Sequence, residues 1–346
     1  MNPIFRAVVA MCVALFTVTS ARAQDVTLTG SGSSFVYPFM SKIASEFNKM
    51  HPNIKINYSS TGSGAGIKQI SDKSIDFAGS DAPMTDKQMA AASGGEMIHI
   101  PLVMGAVVPI YNVPGVDKNK PLVFSGPVLA DIFTGKISSW DDPAIAKLNP
   151  GVKFPAADIT VVHRSDGSGT TYVWADYLAK VSPEFAKAPG VGTNLNWPTE
   201  NKIGAKGSEG VSAVVQKTPG TIGYVELIYA ESNKIDFGNV VNAAGKSIHA
   251  TMEGVTAAAA SVKNPPADLR MSITNADGES AYPCSAFTYV LVYKNQSDAT
   301  KGKALVDFLK WSVTDAQKLA GDLHYAALPE EIAKMNLAKL DSIAVK

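Results

Sequence analysis

Three short segments join glycine to hydroxyl-bearing residues: Gly30-Ser31-Gly32-Ser33-Ser34-Phe35, Thr61-Gly62-Ser63-Gly64-Ala65-Gly66 and Arg164-Ser165-Asp166-Gly167-Ser168-Gly169-Thr170. Each lies between a run with strand character and a run with helical spacing. The first turn of a helix carries unpaired N–H groups and a partial positive charge, so such a junction is a ready anion site. Glycine lets a ligand approach the backbone closely, and Ser and Thr add short donors without bulk. The third segment adds Arg164, whose planar fork matches a tetrahedral oxyanion. Asp166, two residues on, is placed to pair with Arg164 and hold that fork. Any one segment alone could be a tight turn with a Ser or Thr helix cap. Three in one chain point to oxyanion binding.

Asp81, in Ser80-Asp81-Ala82-Pro83, follows the third strand pattern. The carboxyl end of a parallel strand is where ligands bind in such folds. A cap for the next helix is the plainer role. The chemical reading is sharper: a carboxylate in an anion site repels the anion unless the anion carries a proton. Inorganic phosphate keeps at least one proton at neutral pH and sulfate keeps none, so Asp81 would select the first and reject the second.

Other phosphate and nucleophile motifs are absent. There is no GxxxxGK[ST] and no GxSxG, and Gly30-x-Gly32 lacks the third glycine of the dinucleotide fingerprint. Ser168 has no base beside it, because strand alternation sends His163 to the face opposite Arg164. The histidines (His51, His99, His163, His249 and His324) are scattered, and neither HExxH nor CxxC occurs. Neither metal nor cofactor is expected, and the pattern favours binding over covalent catalysis; this is not the sequence of an enzyme.

The elements that must position these groups alternate. Strand patterns fall at Val26–Thr29, Ile54–Tyr58, Ile75–Gly79, Ile159–Val162, Ile222–Val225 and Phe287–Tyr293. Tyr37–Lys49 carries Phe39, Ile43 and Phe47 at helical spacing, with Met40 and Ala44 beside them. Further helices are expected to begin at Ile67 and over Thr170–Leu178, Lys301–Trp311 and the Ala257–Ala260 run. Met97–Val113 is apolar but holds Pro101 and Pro109, which suits an extended crossover rather than a helix. Asn194–Gly207 and Val262–Gly278 look least structured. The alternation predicts an α/β fold with mostly parallel sheets.

The chain has 346 residues, with 31 Lys plus Arg against 31 Asp plus Glu. No basic excess exists to follow a nucleic-acid backbone. At 46 % hydrophobic and 18 % charged it can bury a large core rather than stay disordered. Residues 1–23 read as a cleaved signal peptide: Arg6, an apolar run from Ala7 to Val18, then Ala21-Arg22-Ala23. Losing Arg6 and Arg22 takes the basic count to 29 and the formal charge to −2. Cys12 leaves with the leader, so Cys284 has no partner and is expected to be a buried small apolar residue.

These residues resemble the periplasmic phosphate-binding proteins of high-affinity phosphate ABC importers over nearly all of the mature chain. The resemblance rests on Gly30–Phe35, Gly62–Gly66 with Ile67-Lys68-Gln69-Ile70, Asp76-Phe77 with Ser80–Pro83, and Arg164–Thr170. Gly135-Lys136-Ile137, Trp140-Asp141-Asp142, Gly220–Glu226 and His324–Pro329 extend it. It implies a type II, Venus-flytrap fold of two lobes, each a mixed sheet flanked by helices. Lobe one would be 24–108 plus 280–346 and lobe two 109–279, with crossings near Val108–Tyr111 and Asp277–Pro283. Phosphate would sit dehydrated between them. Ser34 and Ser63 would donate hydroxyls and Phe35 its N–H, Asp81 would accept the phosphate proton, and Arg164, Ser168, Gly169 and Thr170 would close from the other lobe, with Asp166 beside Arg164. His163 stands where an arginine is frequent.

The resemblance also implies a periplasmic, monomeric ion-transport component. Its partner would be an inner-membrane ABC permease with two membrane and two ATPase subunits. A receptor for sulfate, molybdate or tungstate, a secreted phosphoesterase and an extracellular scaffold are the competing readings. Asp81 opposes the first, and the lack of a metal cluster or activated nucleophile opposes the second.

Overall fold

The computed structural model describes residues 25–117 and 120–346. The expected leader, with Cys12, lies outside the described residues. One eight-stranded sheet organises the chain, in the spatial order β2-β1-β3-β8-β4-β7-β5-β6. Its strands are β1 (Val26–Gly32), β2 (Ile54–Ser60), β3 (Phe77–Ser80), β4 (Met97–Asn112), β5 (Thr160–Arg164), β6 (Lys202–Ala205), β7 (Thr221–Glu226) and β8 (Ser285–Tyr293). β1, β2 and β3 run parallel in one half, and β5, β6 and β7 run parallel in the other.

The two halves are joined by β4, whose residues are buried along all but the last of its length. Up to Ala106 it pairs with β8, and from Val107 it pairs with β7, both antiparallel. Met97–Val113 is therefore extended, as its prolines required. Pro101 sits opposite Tyr289 where the register shifts, a bulge that absorbs its missing N–H. The result is two lobes hung on one shared strand, with a mixed sheet in each.

Helices cover both faces. α1 (Tyr37–Met50) buries Phe39, Met40, Ile43, Ala44 and Phe47, the stripe its spacing predicts. α2 (Ser63–Ser71) follows β2, α3 (Gly169–Val181) follows β5 and α4 (Gly207–Lys217) follows β6. α5 (Leu227–Asn233) follows β7 directly. Asn194–Gly207 departs from expectation, since it contains β6 and opens α4. Val262–Gly278 holds no helix or strand. Cys284 is buried and free, and burial pushes its thiol well up. Among the described residues no helix is long and apolar enough to cross a membrane, and no three His, Cys, Asp or Glu residues gather as a metal site would require.

Candidate functional site

The βα junctions of the two lobes meet at the carboxyl ends of the parallel strands. Part of the glycine in the first segment serves the sheet instead. β1 runs on to Gly32, and a Cβ at Gly30 would lie 2.3 Å from the Phe77 ring. At Gly32, with φ +138°, it would lie 2.1 Å from the Gly79 carbonyl. The loop proper is Ser33–Val36.

Asp81 is the centre of the first lobe's contribution and is 3 % exposed. The Ser33 hydroxyl lies 2.7 and 2.8 Å from its two oxygens, and Thr288 Oγ1 donates at 2.9 Å. Asp81 caps no helix. The next one, Asp86–Ala90, is capped by Thr85 in a capping box. Burial lifts the Asp81 carboxyl from 3.8 to about 6, against the pull of the Ser33 and Thr288 hydrogen bonds and of the Arg164 charge. The Asp81 N–H points at Ser63 Oγ, 3.4 Å away. A serine hydroxyl both accepts and donates, so Ser63 keeps its own proton for another partner.

The second lobe brings Arg164 at the end of β5. Its side chain is 2 % exposed, and Nε and Nη2 make a two-pronged pair with the Asp166 carboxylate. Asp166 also accepts the Gly207 N–H at 3.0 Å. Burial would raise this carboxyl, but the Arg164 hydrogen bond and charge, with the Gly207 N–H, outweigh it and hold the group below its ordinary value. The pair uses two of the five guanidinium N–H groups and fixes the plane of the rest.

The lobes touch through backbone. Gly64 N–H donates to the Gly167 carbonyl at 2.8 Å. A Cβ at Gly62 would fall 2.3 Å from Asp166 Oδ2, one at Gly64 2.9 Å from Gly167 Cα, and one at Gly169 2.5 Å from both Asp81 Oδ2 and Ser63 Oγ. These glycines permit closure of the two loops onto each other. Ser34, 1 % exposed, joins the same clasp: its Oγ lies 2.9 Å from Ser208 Oγ and accepts the Ser208 N–H at 3.2 Å.

Of the residues singled out from sequence, Ser34, Ser63, Asp81, Arg164, Asp166 and Gly169 are brought together by these contacts. The Phe35 N–H donates to Ser33 Oγ at 3.0 Å, inside its own loop. Ser168 Oγ accepts the Thr171 N–H and caps α3. Thr170 Oγ1 is buried without a hydrogen-bond partner, as is Thr61 Oγ1 in the second segment. Buried hydroxyls with no partner are rare and mark where a polar group belongs. His163 takes no part: Nδ1 lies 2.9 Å from the Arg164 carbonyl, and the ring faces Trp197.

Sequence reasoning missed Thr288 and Ser208, and passed over Ser33. Ser33 lies in the first glycine-hydroxyl segment. Ser208 follows a Lys206-Gly207 junction of the same βα type, hidden because β6 is an edge strand with only Ala205 buried. Thr288 lies within an apolar β run, and no local signal separates it from its neighbours.

The arrangement can hold a small, tetrahedral, partly protonated anion: one acceptor carboxylate, one fixed guanidinium and hydroxyl and N–H donors from two lobes, all out of water. Residues 17–316 match the PBP superfamily domain. The phosphate-binding protein PstS of Xylella fastidiosa is 43 % identical over 317 residues, covering 91 % of this chain and 85 % of that one. The phosphate-binding protein PstS of Pasteurella multocida is 42 % identical over 319 residues, covering 92 % and 91 %. Among solved structures, a phosphate-binding protein from Stenotrophomonas maltophilia superposes with a TM-score of 0.70 at 19 % identity, covering 90 % of this chain and 93 % of that one, a likeness of fold.

Proposed function

This chain belongs to the PBP superfamily and, within it, to the PstS phosphate-binding proteins, and from that premise we propose how it captures inorganic phosphate between its lobes and delivers it to an ABC importer. The observation that carries the reading is Asp81: a buried carboxylate held by Ser33 and Thr288, facing Gly169 across the lobe contact and sharing the cleft with Arg164. A site for a fully ionised anion has no use for that acceptor.

In this reading Asp81 accepts the proton that phosphate retains. Arg164, oriented by Asp166, supplies the positive charge. Ser34, Ser63, Ser168 and Thr170 donate hydroxyls, and the Phe35 and Gly169 N–H groups complete the shell. Several of these groups are paired with one another in the closed arrangement, so phosphate takes the place of internal partners such as Ser33 for Phe35. Ser168 Oγ accepts the Thr171 N–H as a helix cap, and the carboxylate that Ser33 donates to is the proton acceptor of this reading. This supports capture and release rather than hydrolysis.

Lobe one comprises 24–108 plus 280–346 and lobe two 109–279, a division next to the exchange of β4 partners at Ala106 and Val107. The leader sends the chain to the periplasm, and closure presents a composite surface to the permease, with its two membrane and two ATPase subunits. Titration calorimetry on the ligand-stripped mature chain tests the reading. Phosphate is expected to bind at micromolar Kd or tighter, roughly −8 kcal/mol or better, with no heat from sulfate. Equal binding of both anions would reduce the protein to a general oxyanion receptor.

A further inference from the structure

Tyr229, on α5, is 7 % exposed. Its hydroxyl donates to the Ser34 carbonyl at 2.5 Å and lies 3.2 Å from Glu209 Oε1. A phenol has one proton, so the two acceptors compete for it. They belong to different lobes. Glu209 stands on α4, in the same lobe as Tyr229, whereas Ser34 follows β1 in the other. The backbone around Tyr229 is fixed, since Glu226 at the end of β7 accepts the Ile228 N–H at 2.9 Å and so caps α5. Burial, then the Glu209 charge, push the phenol far above its ordinary range, so it stays a donor.

The Ser34 carbonyl and the Phe35 N–H belong to one planar trans peptide and point in opposite directions. Drawing the carbonyl toward Tyr229 aims the N–H the other way, where it meets Ser33 Oγ at 3.0 Å, and Ser33 donates to Asp81. One chain of hydrogen bonds thus runs from Tyr229 through the Ser34–Phe35 peptide and Ser33 to Asp81, each link polarising the next.

We propose that Tyr229 is a positioning residue for the anion site, whose hydroxyl passes from Glu209 to the Ser34 carbonyl as the lobes close and thereby aims the Phe35 N–H at Ser33 Oγ beside Asp81, where phosphate takes over as its partner. The second lobe then completes the first lobe's donor set only when the cleft is shut. Glu209 is the acceptor that holds the proton while the lobes are apart, and so opposes closure. The proposal rests on the phosphate reading above.

Stopped-flow phosphate binding to the full mature chain tests it, with Tyr229→Phe and Glu209→Gln beside the unaltered protein. Tyr229→Phe is expected to raise the dissociation rate about five- to tenfold, the worth of one buried hydrogen bond, while the association rate stays within about twofold. Glu209→Gln, which weakens the competing acceptor, is expected to slow dissociation. In the phosphate complex the Phe35 amide resonance should move in Tyr229→Phe while that of Gly64, in the other loop, stays. A role in packing alone would move neither the Phe35 amide nor dissociation in Glu209→Gln. An unchanged dissociation rate in Tyr229→Phe beside an unaltered chain that binds phosphate would overturn the proposal alone. Faster dissociation in Glu209→Gln would also overturn it, whether or not Tyr229→Phe folds. If the unaltered chain binds no phosphate, the functional reading itself is overturned, and this proposal with it.

Discussion

A carboxylate buried among hydroxyls costs the ligand-free protein stability, and the cost has a sign that can be checked. The Asp81 carboxyl is carried from 3.8 to about 6, chiefly by burial. It therefore holds its proton more tightly folded than unfolded, and its contribution to stability is fully present below about pH 4 and lost as the pH rises through about 6. At neutral pH the loss is roughly 3 kcal/mol, at about 1.4 kcal/mol for each pH unit between the two values. Asp81→Asn is expected to raise the unfolding midpoint of the ligand-free chain at pH 7.5 by roughly 2–6 °C, with the gain gone near pH 4. Calorimetric scans at the two pH values check this, and a lowered midpoint at pH 7.5 would contradict it. The same variant should lose discrimination against sulfate more than affinity for phosphate, because an amide no longer repels an unprotonated oxygen. The placement of Asp81 at the cleft was legible from residue type and its position after a strand. The hydroxyls that hold it were not, because Thr288 is called into the site by a long-range strand order that no local pattern encodes.

The βα junctions show which local signals survive folding. Glycine beside Ser and Thr marked three strand-to-helix junctions, but the reason for glycine divides. Gly30 and Gly32 are set by the Phe77 ring and the Gly79 carbonyl, whereas Gly62, Gly64 and Gly169 are set by contact between lobes. Only the pairing of strands and the closure of the cleft tell the two uses apart. The fourth junction, Lys206-Gly207-Ser208, went unseen because its strand has a single buried residue. Gly169 offers the cleanest test of the clasp, since no left-handed φ is required there. In Gly169→Ala the methyl would sit 2.5 Å from Asp81 Oδ2 and Ser63 Oγ and 2.7 Å from the Asp81 backbone nitrogen. The collision occurs only in the closed state, so the open chain keeps its fold while the population able to bind falls. Phosphate affinity should drop on the order of a hundredfold, with the ligand-free unfolding midpoint within about 2 °C of the unaltered chain. Calorimetry and thermal scans of the same sample separate the two effects. Unchanged affinity would mean that the loops need not meet for binding.

At the scale of the molecule, the question is how a chain with no excess of positive charge attracts an anion. Basic and acidic residues are equal at 31 each, and cleavage of the proposed leader, which removes Arg6 and Arg22, would leave a formal −2. A binding mode that depended on net charge would fail here and would be screened by salt over about 10 Å at 0.1 M. The cleft uses a different device. Arg164 and Asp166 form a pair of zero net charge at 2 % and 14 % side-chain exposure, and the remaining donors are hydroxyls and N–H dipoles fixed by strand ends and helix starts. Such dipoles act over a few ångströms in a site closed off from water, where mobile ions cannot enter. In the proposed site, selection would depend on whether the anion can satisfy the donors and the Asp81 acceptor together, a condition that sodium chloride does not change. Phosphate affinity is accordingly expected to fall less than about tenfold between 20 mM and 200 mM NaCl, the loss confined to the association rate. Titrations across that range with stopped-flow rates decide it. A fall of several orders of magnitude would place the binding energy in long-range charge, and the two-lobed enclosure would then be a gate rather than the source of affinity.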